Sequence, residues 1–150
     1  MYCAKKSFVI RLIALIVVLA LMTPVSAEAA VQETVQPYAS LYLSTYAAYV
    51  YLPGTGEVQV YFNVEGTRYM DELGVLSIAI YESTNGTSWT WKKTYTHDST
   101  AGMLSYNDIY HSGYVSYNGV AGRYYKAYVC VWGGKGGQGD TRYFWTNVGC

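Results

Sequence analysis

Apolar and polar residues alternate through Val58, Val60, Phe62 and Val64, with Gln59, Tyr61, Asn63 and Glu65 between them. A two-residue period of this kind predicts a strand with one buried face. Before it, Leu41 to Leu52 forms another strand-like run, joined through Pro53-Gly54-Thr55-Gly56. After it, an irregular stretch around Met70-Asp71-Glu72-Leu73-Gly74 leads to Val75 to Ser83, where Leu76, Ile78 and Ile80 share a face. Asn85-Gly86 accepts the positive φ angles of a tight hairpin, so Trp89 to Thr96 is expected to return antiparallel, with Trp89 and Trp91 on the core face of Ile80. Ile109 to Tyr117, Tyr124 to Trp132 and Thr141 to Val148 complete about seven antiparallel strands, and Thr96 to Asn107 is expected to be the most irregular connection. The pattern predicts an all-β domain, a single β-sandwich. Its expected core is Val58, Val60, Phe62, Leu76, Ile78, Ile80, Val115, Ala127, Val129, Val131 and Phe144.

The last two strands allow a finer reading. If Gly133 to Asp140 closes a symmetric hairpin, Val131 lies opposite Arg142, Val129 opposite Phe144, Ala127 opposite Thr146 and Tyr125 opposite Val148, with Phe144 and Val148 pointing inward. The same register puts Tyr128 opposite Trp145 and Cys130 opposite Tyr143 on the outer face. Tyr124, Tyr128, Trp132, Tyr143 and Trp145 then form an aromatic stripe, which Tyr81 joins if the third strand neighbours the sixth. Tyr and Trp supply rigid amphipathic contact area, and exposed patches of this kind mark interaction sites. The opposing reading is a satellite core, with Glu33 to Tyr42 or the first strand folded over the rings.

The beginning of the chain changes the setting. Lys5, Lys6 and Arg11 precede an apolar run from Leu12 to Met22, and small residues follow at Val25-Ser26-Ala27 and Ala27-Glu28-Ala29. This is the build of an export signal cleaved after Ala27 or Ala29, too short to span a bilayer. The expected organisation is a signal peptide at 1–29, an N-terminal extension at 30–40 and one β-sandwich domain at 41–150, secreted without a transmembrane anchor. Three of the ten basic residues precede the cut while all ten acidic ones follow Ala27, leaving a net charge of −3, or −2 if Glu28 is also removed. That balance argues against nucleic acid as a partner.

Two cysteines survive the cut, Cys130 and Cys150. The hairpin register separates them by about seven residues, or ~24 Å at strand rise, whereas a disulfide needs Cα atoms within ~7 Å. A bond between them would require the chain to turn back at Asn147-Val148-Gly149. Otherwise Cys150 is a free or intermolecular thiol and Cys130 a small space-filler.

Several motifs read more simply as structure. Leu52-Pro53-Gly54-Thr55-Gly56 matches a sortase signal in letters, but it lies between two strands, where Pro-Gly is turn chemistry. Gly134-Lys135-Gly136-Gly137-Gln138-Gly139 matches the dinucleotide fingerprint but opens no helix, so no cofactor is expected. His97-Asp98 and Asp108-x-x-His111 are the one grouping with ligand or acid-base chemistry, and neither pair has a third protein ligand for zinc. No catalytic residues and no metal site are assigned.

Tyr125-x-Ala127-x-Val129-x-Val131 after Gly122 resembles the tyrosine-corner strand of fibronectin type III and immunoglobulin-like sandwiches. Met70-Asp71-Glu72-Leu73-Gly74, His111-Ser112-Gly113, Ser116-Tyr117-Asn118-Gly119 and Gly133-Gly134-Lys135-Gly136-Gly137-x-Gly139-Asp140-Thr141-Arg142 resemble a family of small Sec-exported proteins of Gram-positive (Firmicutes) bacteria, domain of unknown function 6147. That resemblance implies location and fold, and carries over no functional residues. The expectation for function is a secreted non-catalytic binding or adhesion module for a glycan, surface or protein, with Tyr81, Tyr124, Tyr128, Trp132, Tyr143 and Trp145 as its contact residues. The alternatives are a self-associating structural protein, including a homodimer through the same face, and a small secreted toxin or bacteriocin-like protein.

Overall fold

The structure is a computed structural model and describes residues 40–150. The expected export signal and residues 30–39 of the expected extension lie outside the described residues. The described chain is all-β: β1 (Leu43–Tyr51), β2 (Glu57–Ser83), β3 (Thr90–Thr96), β4 (Leu104–Asn118), β5 (Tyr124–Lys135) and β6 (Gln138–Trp145). All six join one antiparallel hydrogen-bonded sheet.

The second and third expected strands are one continuous element, the 27-residue β2. Its first half pairs with β1 along Gln59–Gly66 and with β4 along Glu57–Glu65, and its second half pairs with β5 along Glu72–Ser83 and with β3 along Ser77–Glu82. The stretch around Met70 to Gly74, which reads as irregular in sequence, is strand, and Leu104–Asp108 of β4 pairs with it. Met70 and Leu73 have no solvent exposure, because their side chains complete the core between the two halves. The expected irregular loop is correspondingly shorter, since β4 already begins at Leu104.

Gly74 marks the change of partners along β2. Its φ is +147°, and a Cβ there would stand 2.2 Å from the Met103 carbonyl oxygen, so the close approach requires glycine. Immediately after it, the register slips between Val75 and Ser77. This bulge turns Val75 inward and leaves Leu76 only half-buried, against the expectation that Leu76 would face the core.

The sheet curls so that both halves of β2 contribute to one core. Val58, Val60, Phe62 and Val64 share it with Val75, Ile78 and Ile80, and with Tyr125, Ala127, Val129 and Val131 of β5. Phe144 is partly buried against it and meets the Tyr46 ring at 5.2 Å. The Tyr125 ring is buried, and its hydroxyl accepts a hydrogen bond from the Val120 amide at 2.7 Å and donates to Glu82 Oε2 at 2.7 Å. Burial opposes ionisation of Glu82, but the hydrogen bonds from Tyr125 and Lys92 outweigh it and hold the carboxyl below its ordinary range.

Candidate functional site

The β5–β6 hairpin has the register its sequence predicts, with Tyr128 opposite Trp145, Val129 opposite Phe144, Cys130 opposite Tyr143 and Val131 opposite Arg142. Strand alternation therefore sends Tyr128, Tyr143 and Trp145 to the outer face while Val129 and Val131 enter the core. On the other flank of β5, Ala79 of β2 lies opposite Tyr128 and Tyr81 opposite Lys126. Tyr81 is thereby brought to the group.

Ring contacts join four of the six expected residues. The Tyr128 ring lies 4.9 Å from Trp145 and 5.9 Å from Tyr143, and Tyr81 meets Trp145 edge-on at 5.1 Å. Despite these contacts Tyr128 remains 37% exposed, Tyr143 61% and Trp145 47%. Nor does the first strand cover them, since it packs on the inner side, Tyr46 against Phe144.

The other two expected residues lie apart. Tyr124 stands at the end of β5 beside the β2–β3 turn, its ring 3.9 Å from where a Cβ on Gly86 would be. Trp132 is at the opposite end, where its Nε1–H donates to Glu72 Oε2 at 3.1 Å. Its indole packs over Gly134 and Gly139, where added Cβ atoms would approach it to 2.6 and 2.4 Å. The glycine-rich string is thus the hairpin tip, with Gly136 and Gly137 at positive φ, and a seat for an indole.

The platform also holds Lys126 and two indoles, Trp89 and Trp91, that the sequence pattern places in the core. Lys126 Nζ sits 4.2 Å from the Trp145 ring centroid and 4.4 Å from that of Trp89, a cation held between two indoles. Trp91 lies opposite Tyr81 and is 57% exposed, contrary to the expected core position. The cause is a register shift between Ile80 and Tyr81, which reverses the facing of the residues before Lys93. Beneath the platform Cys130 is buried; burial pushes its thiol up, against hydrogen bonding with Tyr143 and Ser77. Neither Cys130 nor Cys150 is in a disulfide.

A second aromatic group lies on the outer face of β1, β2 and β4. Tyr49, Tyr61 and Tyr114 are opposite one another in register, with centroids 5.2 Å apart across each strand pair, and Tyr51 meets Tyr61 edge-on at 6.2 Å. Beside them Gln59 and Ser116 each donate to Glu57 Oε1 at 2.9 Å, and the Tyr61 hydroxyl donates to Gln59 at 2.9 Å. Those two hydrogen bonds lower the Glu57 carboxyl.

The histidines serve locally. His111 Nε2 is 2.9 Å from the Gly102 carbonyl, and His97 Nδ1 is 3.5 Å from Asp98. Among the described residues no three His, Cys, Asp or Glu side chains converge as a metal site. A cavity between Gly56, Val120, Arg123 and Cys150 measures about 120 Å³, well below the ~300–1,000 Å³ of small-molecule pockets. The flat faces are therefore the better candidates for recognition. Comparison with protein-family models, curated proteins and solved structures returns no match.

Proposed function

We propose that the chain is an exported, non-catalytic binding or adhesion module that engages a glycan, a surface or another protein through Tyr81, Tyr128, Tyr143 and Trp145. One observation carries this reading: the four rings touch one another in a continuous group, and Tyr128, Tyr143 and Trp145 nevertheless stay between a third and two thirds open while Tyr81 is partly buried beside them. An outer sheet face ordinarily carries charged and small polar residues. Here residues 77–81, 124–132 and 141–145 contain no Asp or Glu at all. Planar, apolar-faced partners suit such a surface, because stacking on an aromatic face excludes water from both sides at little entropic cost.

The setting belongs to the same proposal. The cationic start, apolar run and small residues of positions 1–29 support export, and the four strings from Met70-Asp71 to Thr141-Arg142 support membership of the Sec-exported Gram-positive family. An immunoglobulin-like sandwich is supported by the Tyr125 hydroxyl, which meets the amide and carbonyl of Val120 five residues upstream, as in a tyrosine corner.

Glycan-array and pull-down binding tests the function. The wild type is expected to retain specific ligands, and Tyr128→Ala, Tyr143→Ala and Trp145→Ala together are expected to abolish retention without unfolding the chain. Binding that persists unchanged in the triple variant would remove the proposal.

A further inference from the structure

The two arms of the curled sheet share one core, so their outer faces look away from it in different directions. Both faces are aromatic. They differ in charge. Residues 43–51, 57–65 and 110–118, which carry the tyrosine ladder, include no Lys or Arg, and Glu57 and Glu65 stand on the ladder's outward side. Glu57 is oriented by Gln59 and Ser116, and Glu65 accepts from Thr45 Oγ1 at 3.0 Å. The platform segments have no acidic residue and present Lys126 outward among their rings.

We propose that the ladder of Tyr49, Tyr61 and Tyr114, flanked by Glu57 and Glu65, is a docking surface for a second copy of this chain, which contributes its Lys126-bearing platform. The inference rests on the platform being an interaction surface and names one occupant for it. Charge complementarity selects the pairing. Ladder on ladder would oppose four carboxylates, and platform on platform would oppose two ammonium groups, whereas ladder on platform sets each sign against the other. Such a contact uses different surfaces on the two copies, so it builds rings or open chains rather than a two-fold dimer, and mass rises with concentration.

Its strength follows from area. Tyr49 is 42% exposed, Tyr51 50% and Tyr114 57%, comparable with the platform rings. Rings of ~150–250 Å² at about half exposure give roughly 300 Å² from the three open rings of each face. A standard stable interface needs about 800 Å² per partner, so the association is weak, reversible and suited to an adhesive layer.

Analytical ultracentrifugation of the purified protein under reducing conditions tests this, reductant excluding a Cys150 crosslink. The wild type is expected to gain mass with concentration. Lys126→Glu alone and the pair Glu57→Lys with Glu65→Lys are each expected to shift that rise to at least about tenfold higher concentration, with circular dichroism confirming that each variant remains folded at the working temperature. Mixed in equal amounts, the two variants are expected to associate again, since each swapped face then meets an oppositely charged one. A wild type that stays monomeric at all concentrations overturns the inference and leaves ligand capture on the array untouched. Association unaffected by the glutamate substitutions, or a mixture that stays apart, overturns it equally.

Discussion

Removing one oxygen from Tyr125 tests the corner on which the β4–β5 connection depends. In Tyr125→Phe the ring keeps its buried place, but the Val120 amide loses its 2.7 Å acceptor and Glu82 its 2.7 Å donor. A hydrogen bond to a charged group contributes about 1.5–3 kcal/mol, and an orphaned amide costs on the order of 1 kcal/mol. Lys92 remains 3.0 Å from Glu82 and keeps that carboxylate partly satisfied, which pulls the sum toward about 3 kcal/mol. For a folded unit of roughly 110 residues this lowers the midpoint of thermal unfolding by ~10 °C. Circular dichroism melts and urea titrations measure it, with the urea slope expected unchanged. The wild type should also show an alkaline signature. Burial first, and the hydrogen bond to Glu82 after it, push the Tyr125 phenol up from its ordinary 10 to about 12. A folded pKa above the unfolded one contributes stability that is complete below pH 10 and is lost as pH rises toward 12. Tyr125→Phe should lack that part of the loss. A stability change under ~0.5 kcal/mol would refute the corner's role, because a hydroxyl with these two partners cannot be removed so cheaply unless water replaces it.

Gly74→Ala should cost more than ~3 kcal/mol and sharply reduce soluble yield, because the new Cβ meets a backbone oxygen that cannot move aside; Gly122→Ala, at φ +74° with open space around it, should cost only about 1–2 kcal/mol by the same melts. A thiol reagent should modify Cys150 rapidly in the native protein and Cys130 only on unfolding, since the first is exposed and the second is buried with its thiol pushed up; mass spectrometry of peptides after timed labelling reads both sites.

What could be read from the chain was whatever depended on alternation within one strand. Val58 to Phe62, Ile78, Ile80 and the Ala127 to Val131 row are buried as their period requires, and the β5–β6 pairing follows from the symmetry of its loop. Features that depend on slips were not legible. One extra residue reverses every side chain beyond it, so the bulge at Leu76 exchanged it for Val75 and the shift after Ile80 turned Trp91 outward. At the other end Tyr125 bridges Gly149 rather than Val148, which leaves Val148 47% exposed instead of inward. Met70 and Leu73 are not legible as core because Gly66, Gly74 and several charges make β2 read as two strands with a break between them, and Met103 because it falls in the connection expected to be irregular. The platform was found because its rings lie on strands joined by a short hairpin. The tyrosine ladder needs the mutual register of β1, β2 and β4, the last of which is about fifty residues away from its partner, and no local pattern encodes that.

The continuity of β2 also explains why an aromatic face occurs twice. A strand of 27 residues whose two halves line one core must present two different outer faces, each flanked by its own neighbours. Outward rings on either face add cross-strand stacking worth only about 0.5–1.5 kcal/mol per pair, a gain that Thr or Val at the same positions would partly match without exposing apolar surface. Stability alone therefore does not require Trp145, Tyr143 or Tyr114, and their open faces work against solubility. Nor does stability require the charges to be sorted, with residues 77–81, 124–132 and 141–145 free of acidic side chains and residues 43–51, 57–65 and 110–118 free of basic ones. Sorting has a consequence only when the faces meet something, and complementary faces on the same chain meet most readily on its copies.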